Sequence, residues 1–249
     1  DIVVLDDLCS MNVSEVFFKG KKAGGNELDK RRECPSGLKH TIHLENFSKE
    51  CLKLPLQGKR AHVIQMEEGQ ITTKDLVCQV PGEKEFEADQ EFNKIAVIER
   101  HKGTGRTGVG ILSGFGLRGG AIASSVSHDS HNIIVVGDND ADMELAVNEL
   151  VRTQGGYTIV ENGAVSMTLA LPIMGLMSDA GYENVNATLK KMLAKAHQMG
   201  VPKGMEPFIT LSFMALPVIP QLRITPRGLF SVSEFCLLDT IRNGEDNGN

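Results

Sequence analysis

The chain has 249 residues, 41% hydrophobic and 23% charged, with a formal net charge of −6 at pH 7. That is an ordinary globular composition, long enough for one large domain or a main domain with a smaller piece. The acidic balance argues against a nucleic-acid partner, which calls for a basic face, and no apolar run approaches the ~20 residues of a membrane span.

The opening residues read as β-structure: Ile2 to Leu5 is a β run, Asp6-Asp7 turns the chain, and a second strand follows through Val13, Val16, Phe17 and Phe18. Two short strands do not stand as a domain, so they are expected to be the tail of a sheet whose other strands lie elsewhere in a longer protein. Gly24-Gly25 and the charged run Asp29 to Glu33 read as a solvated connector. Thr41 to Leu44, Ala61 to Met66 and Ile71 to Val80 are candidate strands, and Pro81-Gly82 opens an exposed loop. Lys94 to Glu99 predicts a strand, followed by a glycine-rich apolar run from Gly105 to Gly116.

Next come apolar runs at Ala121 to Val126 and Ile133 to Val136, flanking the polar string His128, Asp129, Ser130, His131 and Asn132. This reads as strand, turn, strand. Met143, Ala146, Val147, Leu150 and Val151 then repeat at helical spacing, predicting a helix over Asn139 to Gln154. Asp138 or Asn139 caps it and Gly155-Gly156 stops it. Strands are expected at Tyr157 to Val160 and Val165 to Leu169, and a second helix from about Tyr182 to Met199. Phe208 to Leu216 and a closing strand near Gly228 to Val232 finish the fold, leaving Arg242 to Asn249 as a disordered tail. Hairpins interspersed with two main helices predict an α+β fold of layered mixed and antiparallel sheets.

Cys9, Cys34, Cys51, Cys78 and Cys236 are widely spaced and form no CxxC pair. They read as reduced thiols in a cytoplasmic protein, and the sequons at Asn12, Asn46 and Asn186 read as chance matches. His40 and His43 have HxxH spacing without acidic or sulfur partners nearby, which favours satisfied surface or strand histidines. Gly103, Gly105 and Gly108 match GxGxxG, but the dinucleotide site needs a helix after the third glycine, and Val109 to Gly114 is β-like. Those glycines are expected to allow a tight turn beside a site. Asp138, Asp140, Asp142 and Glu149 mimic a calcium loop, yet Met143 stands where glycine is required and the periodicity demands helix.

The 128–132 turn carries two imidazoles, a carboxylate, a hydroxyl and an amide, more chemistry than a chain reversal requires. In the plainer reading His128 and Asn132 satisfy backbone groups and His131 sits in solvent. In the sharper one His128, Asp129 and His131 act as ligands or acid–base groups facing a polar substrate.

Arg100-His101, GTGRTGVGILSGFGL, GAIASSVSHDSHNIIVVGDND, LALPIMGLMSDAG and PFITLSFMALPVIP resemble the C-terminal domain of bacterial-type adenine deaminases, of the amidohydrolase superfamily. The likeness is dense from Phe92 to Phe235. The opening DIVVLDDL is similar to the segment that completes a small β-sandwich in those enzymes. The resemblance implies residues 1–25 as the end of that sandwich, 26–91 as a connector, 92–241 as the deaminase-like domain and 242–249 as a tail. It implies a parent enzyme that hydrolyses adenine to hypoxanthine and ammonia, using water activated by a divalent metal, manganese or iron. The metal ligands would lie in a (β/α)₈ barrel of ~250 residues absent from this chain, with His128 or His131 as possible contributors. The isolated chain is therefore not expected to be active. His128, Asp129 and His131 become accessory catalytic candidates. Ser130, Asn132, Arg100, His101, Gly103, Gly105 and Gly108 become substrate-binding candidates. Adenine is the expected small-molecule partner, with no nucleic acid and no membrane, in a homo-oligomer. The alternative is a stand-alone module that binds a purine or metal, regulates, or oligomerises.

Overall fold

Successive residues of a β-strand face opposite ways, and in the centre of this chain both faces are apolar, so the sheet there must be covered on both sides. The computed structural model describes residues 1–24, 34–58 and 60–242. The run Asp29 to Glu33 and the tail 243–249 lie outside the described residues. The chain divides into two compact units, Asp1–Pro35 and Ser36–Asn249.

The first unit is an antiparallel sheet of three strands, β1 (Ile2–Leu5), β2 (Val13–Phe18) and β3 (Lys21–Lys22). Asp7 holds the β1–β2 connection, its Oδ1 accepting from the backbone N–H groups of Cys9 at 2.7 Å and Ser10 at 2.8 Å. None of its described residues is buried; Ile2, Val3, Leu8, Met11, Val13 and Phe18 are all exposed.

The second unit is built on nine strands: β4 (Arg60–Met66), β5 (Thr73–Gln79), β6 (Phe92–Ile98), β7 (Thr107–Ser113), β8 (Gly120–Ser124), β9 (Ile133–Gly137), β10 (Gly156–Glu161), β11 (Ala164–Ala170) and β15 (Ile241–Arg242). Their order is β11-β10-β8-β9-β6-β7-β4-β15, with β5 paired to β4. Most pairs are antiparallel, and β4 runs parallel to β7. Strands β4 and β5, in the stretch read as a connector, are thus hydrogen-bonded into the same sheet as β6 to β11. Arg242, expected in the tail, pairs with Arg60.

On one face Ala96, Ala121, Ala123, Ile133 and Val135 pack under α1 (Asp140–Thr153) through Met143, Ala146, Val147 and Leu150. On the other face Ile95, Val97, Ile122, Ile134 and Val136 meet α2 (Tyr182–Gln198) and α3 (Pro207–Met214). The same layer takes in β12 (Leu222–Thr225) and β13 (Gly228–Ser231), which form a small antiparallel sheet with β14 (Cys236–Leu238). Buried on both faces, β8 and β9 are the centre of a three-layer α+β structure.

Asn139 caps α1, its side chain accepting from the Asp142 N–H at 2.8 Å. The four carboxylates that mimic a calcium loop are all engaged by protein groups: Asp138 accepts from the N–H groups of Gly119 and Gly120, Asp140 from the Lys94 ammonium at 2.6 Å, Asp142 from the Gly163 N–H, and Glu149 from Arg152 and Thr168. Two expectations change. Pro207–Met214 is a third helix, and Thr41 to Leu44 is not a strand, because its polar groups serve Arg100 and Gln154 instead. The five cysteines are free thiols, and among the described residues no helix is long and apolar enough to cross a membrane.

Candidate functional site

The β8–β9 hairpin projects residues 125–132 from one end of the sheet, and β6, paired beside β9, ends next to it at Ile98. Register alone therefore brings Glu99, Arg100 and His101 to the polar turn. Ser125 roots the turn in the core: its hydroxyl donates to Gly175 O at 2.6 Å and accepts from Gly156 N–H at 2.8 Å.

Arg100 organises the site. It is 1% exposed, and among the described residues no carboxylate lies within salt-bridge distance of its guanidinium. Its guanidinium instead donates to main-chain carbonyls of three separate segments: Nε to His131 O, Nη1 to Thr41 O at 3.1 Å and Nη2 to Met174 O at 3.0 Å. Its own backbone N–H and C=O bind Asn132 Oδ1 at 3.3 Å and His43 N–H at 2.8 Å. Burial lowers its pKa to about 10, opposed by Glu99, so it stays charged at neutral pH. A Cβ on Gly175, where φ is +71°, would sit 2.9–3.0 Å from the guanidinium atoms. That close approach requires glycine.

Within the turn the plain and sharp readings divide residue by residue. Asn132 is buried and structural, with Nδ2 donating to Ser130 Oγ at 3.1 Å. His128, Asp129 and Ser130 are exposed. His131 is half-buried rather than in solvent, and its Nδ1 is enclosed without a hydrogen-bond partner. Burial lowers its pKa first, then Arg100, His128 and His101, with Asp129 opposing. A neutral ring results. An enclosed nitrogen with no acceptor is better left as a lone pair than as an N–H, which puts the proton on Nε2. The His128 ring lies 6.2 Å from that of His131 and stacks on Phe213 at 5.3 Å.

His101 Nε2 approaches Ser130 O at 2.7 Å, so this histidine buttresses the turn. The loop after it is tied by Glu99, whose carboxylate accepts from the N–H groups of His101, Lys102 and Thr104 and from the Thr104 hydroxyl. Burial alone would raise this carboxyl, but those four bonds outweigh it and hold it at about 2. Gly103 (φ +60°) and Gly105 (φ +68°) shape this loop beside Glu45. Gly108 belongs elsewhere: a Cβ there would lie 2.0 Å from Thr225 O, so its neighbour is the β12–β13 turn. It stands inside β7, not at a helix start, and the GxGxxG spacing does not form a nucleotide cradle.

Sequence reasoning missed Glu99, Phe213 and the Thr41 and Met174 carbonyls. Glu99 was within reach, since a carboxylate just before a glycine turn meets free N–H groups. The others come from distant segments and leave no local signal. Among the described residues no group of three His, Cys, Asp or Glu side chains is placed to hold a metal ion. His128 and His131 with Asp129 do not form such a set.

Fold and turn together define a three-layer α+β domain carrying a histidine-bearing hairpin loop at one end of its sheet. Residues 70–236 match the family model of the adenine deaminase C-terminal domain, and the chain belongs to that family. It is 48% identical over 235 residues to an adenine deaminase of Desulfitobacterium hafniense, covering 94% of this chain and 41% of that protein. It is 43% identical to an adenine deaminase of Nitratidesulfovibrio vulgaris, over 94% of this chain and 42% of the relative. An adenine deaminase 2 of Carboxydothermus hydrogenoformans is 41% identical, over 96% and 43% respectively. The chain thus spans about two fifths of the length of these relatives.

Proposed function

We propose that this chain is the C-terminal portion of an adenine deaminase and forms an accessory wall of its active site with the 128–132 turn. The parent reaction consumes water, replaces the exocyclic amine of adenine with oxygen and releases ammonia. The observation that carries the reading is the turn itself. Its exposed His128, Asp129 and Ser130 stand on a hairpin root that Arg100 and Ser125 hold from beneath. A turn with no task needs neither the exposed polar groups nor so many anchors.

On this reading His131 presents a neutral imidazole with Nε2–H as donor, and Asp129 and Ser130 supply an acceptor and a hydroxyl to a polar heterocycle. Asn132, Arg100 and His101 act on the substrate only through the turn that they position. The divalent metal that the family implies belongs, in this proposal, to the remainder of the parent chain, because the residues here do not form a ligand set. The exposed apolar residues of the β1–β3 sheet, Ile2, Val3 and Phe18 among them, suit a sheet completed by strands from that remainder. Free thiols fit a cytoplasmic enzyme.

The test is ammonia release from adenine by the full-length parent carrying His128→Ala or His131→Ala. A fall of about 10- to 100-fold in kcat/KM for at least one variant is expected. Wild-type turnover in both would return the turn to a structural role.

A further inference from the structure

His128 is exposed but not loose. Its backbone N–H donates to Ser212 O at 3.1 Å, and its ring lies nearly parallel to that of Phe213, with centroids 5.3 Å apart and planes 21° from parallel. Both partners belong to the last turn of α3, 84 and 85 residues further along the chain.

That helix is well suited to be a fixed support. Pro207 occupies its first turn, where a missing N–H costs nothing, and the Glu206 carboxylate caps it by accepting from the Ile209 N–H. Phe208, Leu211 and Met214 are buried in the main apolar cluster. Phe213 is half-buried against the same cluster, while its ring also meets His128. An exposed histidine has two soft torsions and samples several rotamers. A stacked aromatic neighbour together with a backbone anchor narrows that choice.

We infer that Phe213 is a positioning residue, holding the His128 imidazole in the orientation in which it meets the substrate of the parent enzyme. The inference rests on the reading of the 128–132 turn given above. Phe213 touches no substrate; it acts through the histidine. Orientation of a reacting group matters to the rate more than to ground-state affinity, so the effect belongs mainly in kcat.

The test is a double-mutant cycle in the full-length parent, read as ammonia release from adenine. Phe213→Ala is expected to lower kcat by roughly 3- to 10-fold with little change in KM. Phe213→Leu, which keeps most of the packing volume without an aromatic face, is expected to do the same at unchanged melting temperature. Phe213→Tyr and Phe213→Trp are expected to restore kcat to within about twofold. In a His128→Ala background, Phe213→Ala should add nothing. The His128 ring protons should lose their ring-current shift in Phe213→Leu while the rest of the amide spectrum is retained. Full activity of Phe213→Leu beside a slow His128→Ala overturns the inference and leaves the reading of the turn standing. Equal losses in both backgrounds also overturn it, by showing that Phe213 acts through packing alone. A His128→Ala enzyme at the wild-type rate removes His128's role, and this inference with it.

Discussion

At the scale of single residues, His131 shows how placement sets chemistry. Its enclosed Nδ1 and the Arg100 guanidinium disfavour the imidazolium, so the folded pKa lies below the ordinary 6.5. Above about pH 6.5 folded and unfolded chains both carry a neutral ring, and the shift costs nothing. As pH falls below that value the unfolded chain takes up a proton that the folded one resists, so stability is lost towards acid. A His131→Gln variant has no imidazole to protonate and is free of this effect. Urea midpoints at pH 7.5, 6.0 and 5.0 should show wild type losing ground to the variant as pH falls; parallel curves would remove the argument. Glu99 runs the same way, in a lower pH range. Held at about 2, it favours the folded state above its ordinary 4.5 and loses that contribution on further acidification. The chemistry-bearing residues of the turn were legible because five polar side chains between apolar runs stand out. Which of them faces outward was not, since it depends on Arg100, Thr41 and Met174 arriving from elsewhere.

At the scale of elements, Arg100 is less a site residue than a fastening. Three connections, around Thr41, His131 and Met174, each end on its guanidinium. Arg100→Met should strand all three carbonyls and cost about 2–4 kcal/mol in urea denaturation, with faster proteolysis at the 128–132 turn. Arg100→Lys should recover only part, because an ammonium cannot reproduce a planar fork spanning three acceptors. Loss below about 0.5 kcal/mol for Arg100→Met would show those carbonyls to be satisfied otherwise. Strands β6, β8, β9 and β10 and helices α1 and α2 were readable from period and caps. Helix α3 was not: residues 207–214 are apolar on nearly every side, and periodicity cannot separate a buried helix from a buried strand. Thr41 to Leu44 failed in the opposite sense, being strand-like in composition but committed to Arg100 and Gln154.

At the scale of the molecule, the two units differ in kind. All three apolar clusters are drawn from residue 42 onward, whereas the β1–β3 sheet buries no described residue. Deleting residues 1–35 should therefore leave the remainder folded, with a melting temperature within about 2 °C of the intact chain. A peptide of residues 1–24 should be largely unstructured by circular dichroism. A cooperative loss of structure on deletion would refute the division. Sequence pattern identified the α+β class and the family resemblance, but not that β4 and β5 belong to the large sheet. β5 joins that sheet only through β4, whose other partner strands, β7 and β15, lie far along the chain, and such pairing has no local trace.

The pairing of Ala61 with Ile241 has a temporal meaning. During synthesis β4 leaves the ribosome well before its partner β15, Ala61 preceding Ile241 by 180 residues. Throughout that interval the β4 backbone flanking the β7 contact is an open edge, able to join a neighbouring nascent chain. Non-local strand closure of this kind is slow in general, because loop-closure entropy is lost before the contacts form. The short β15 strand is thus a latch on the finished sheet, and chains released before Ile241 would be the ones prone to aggregate.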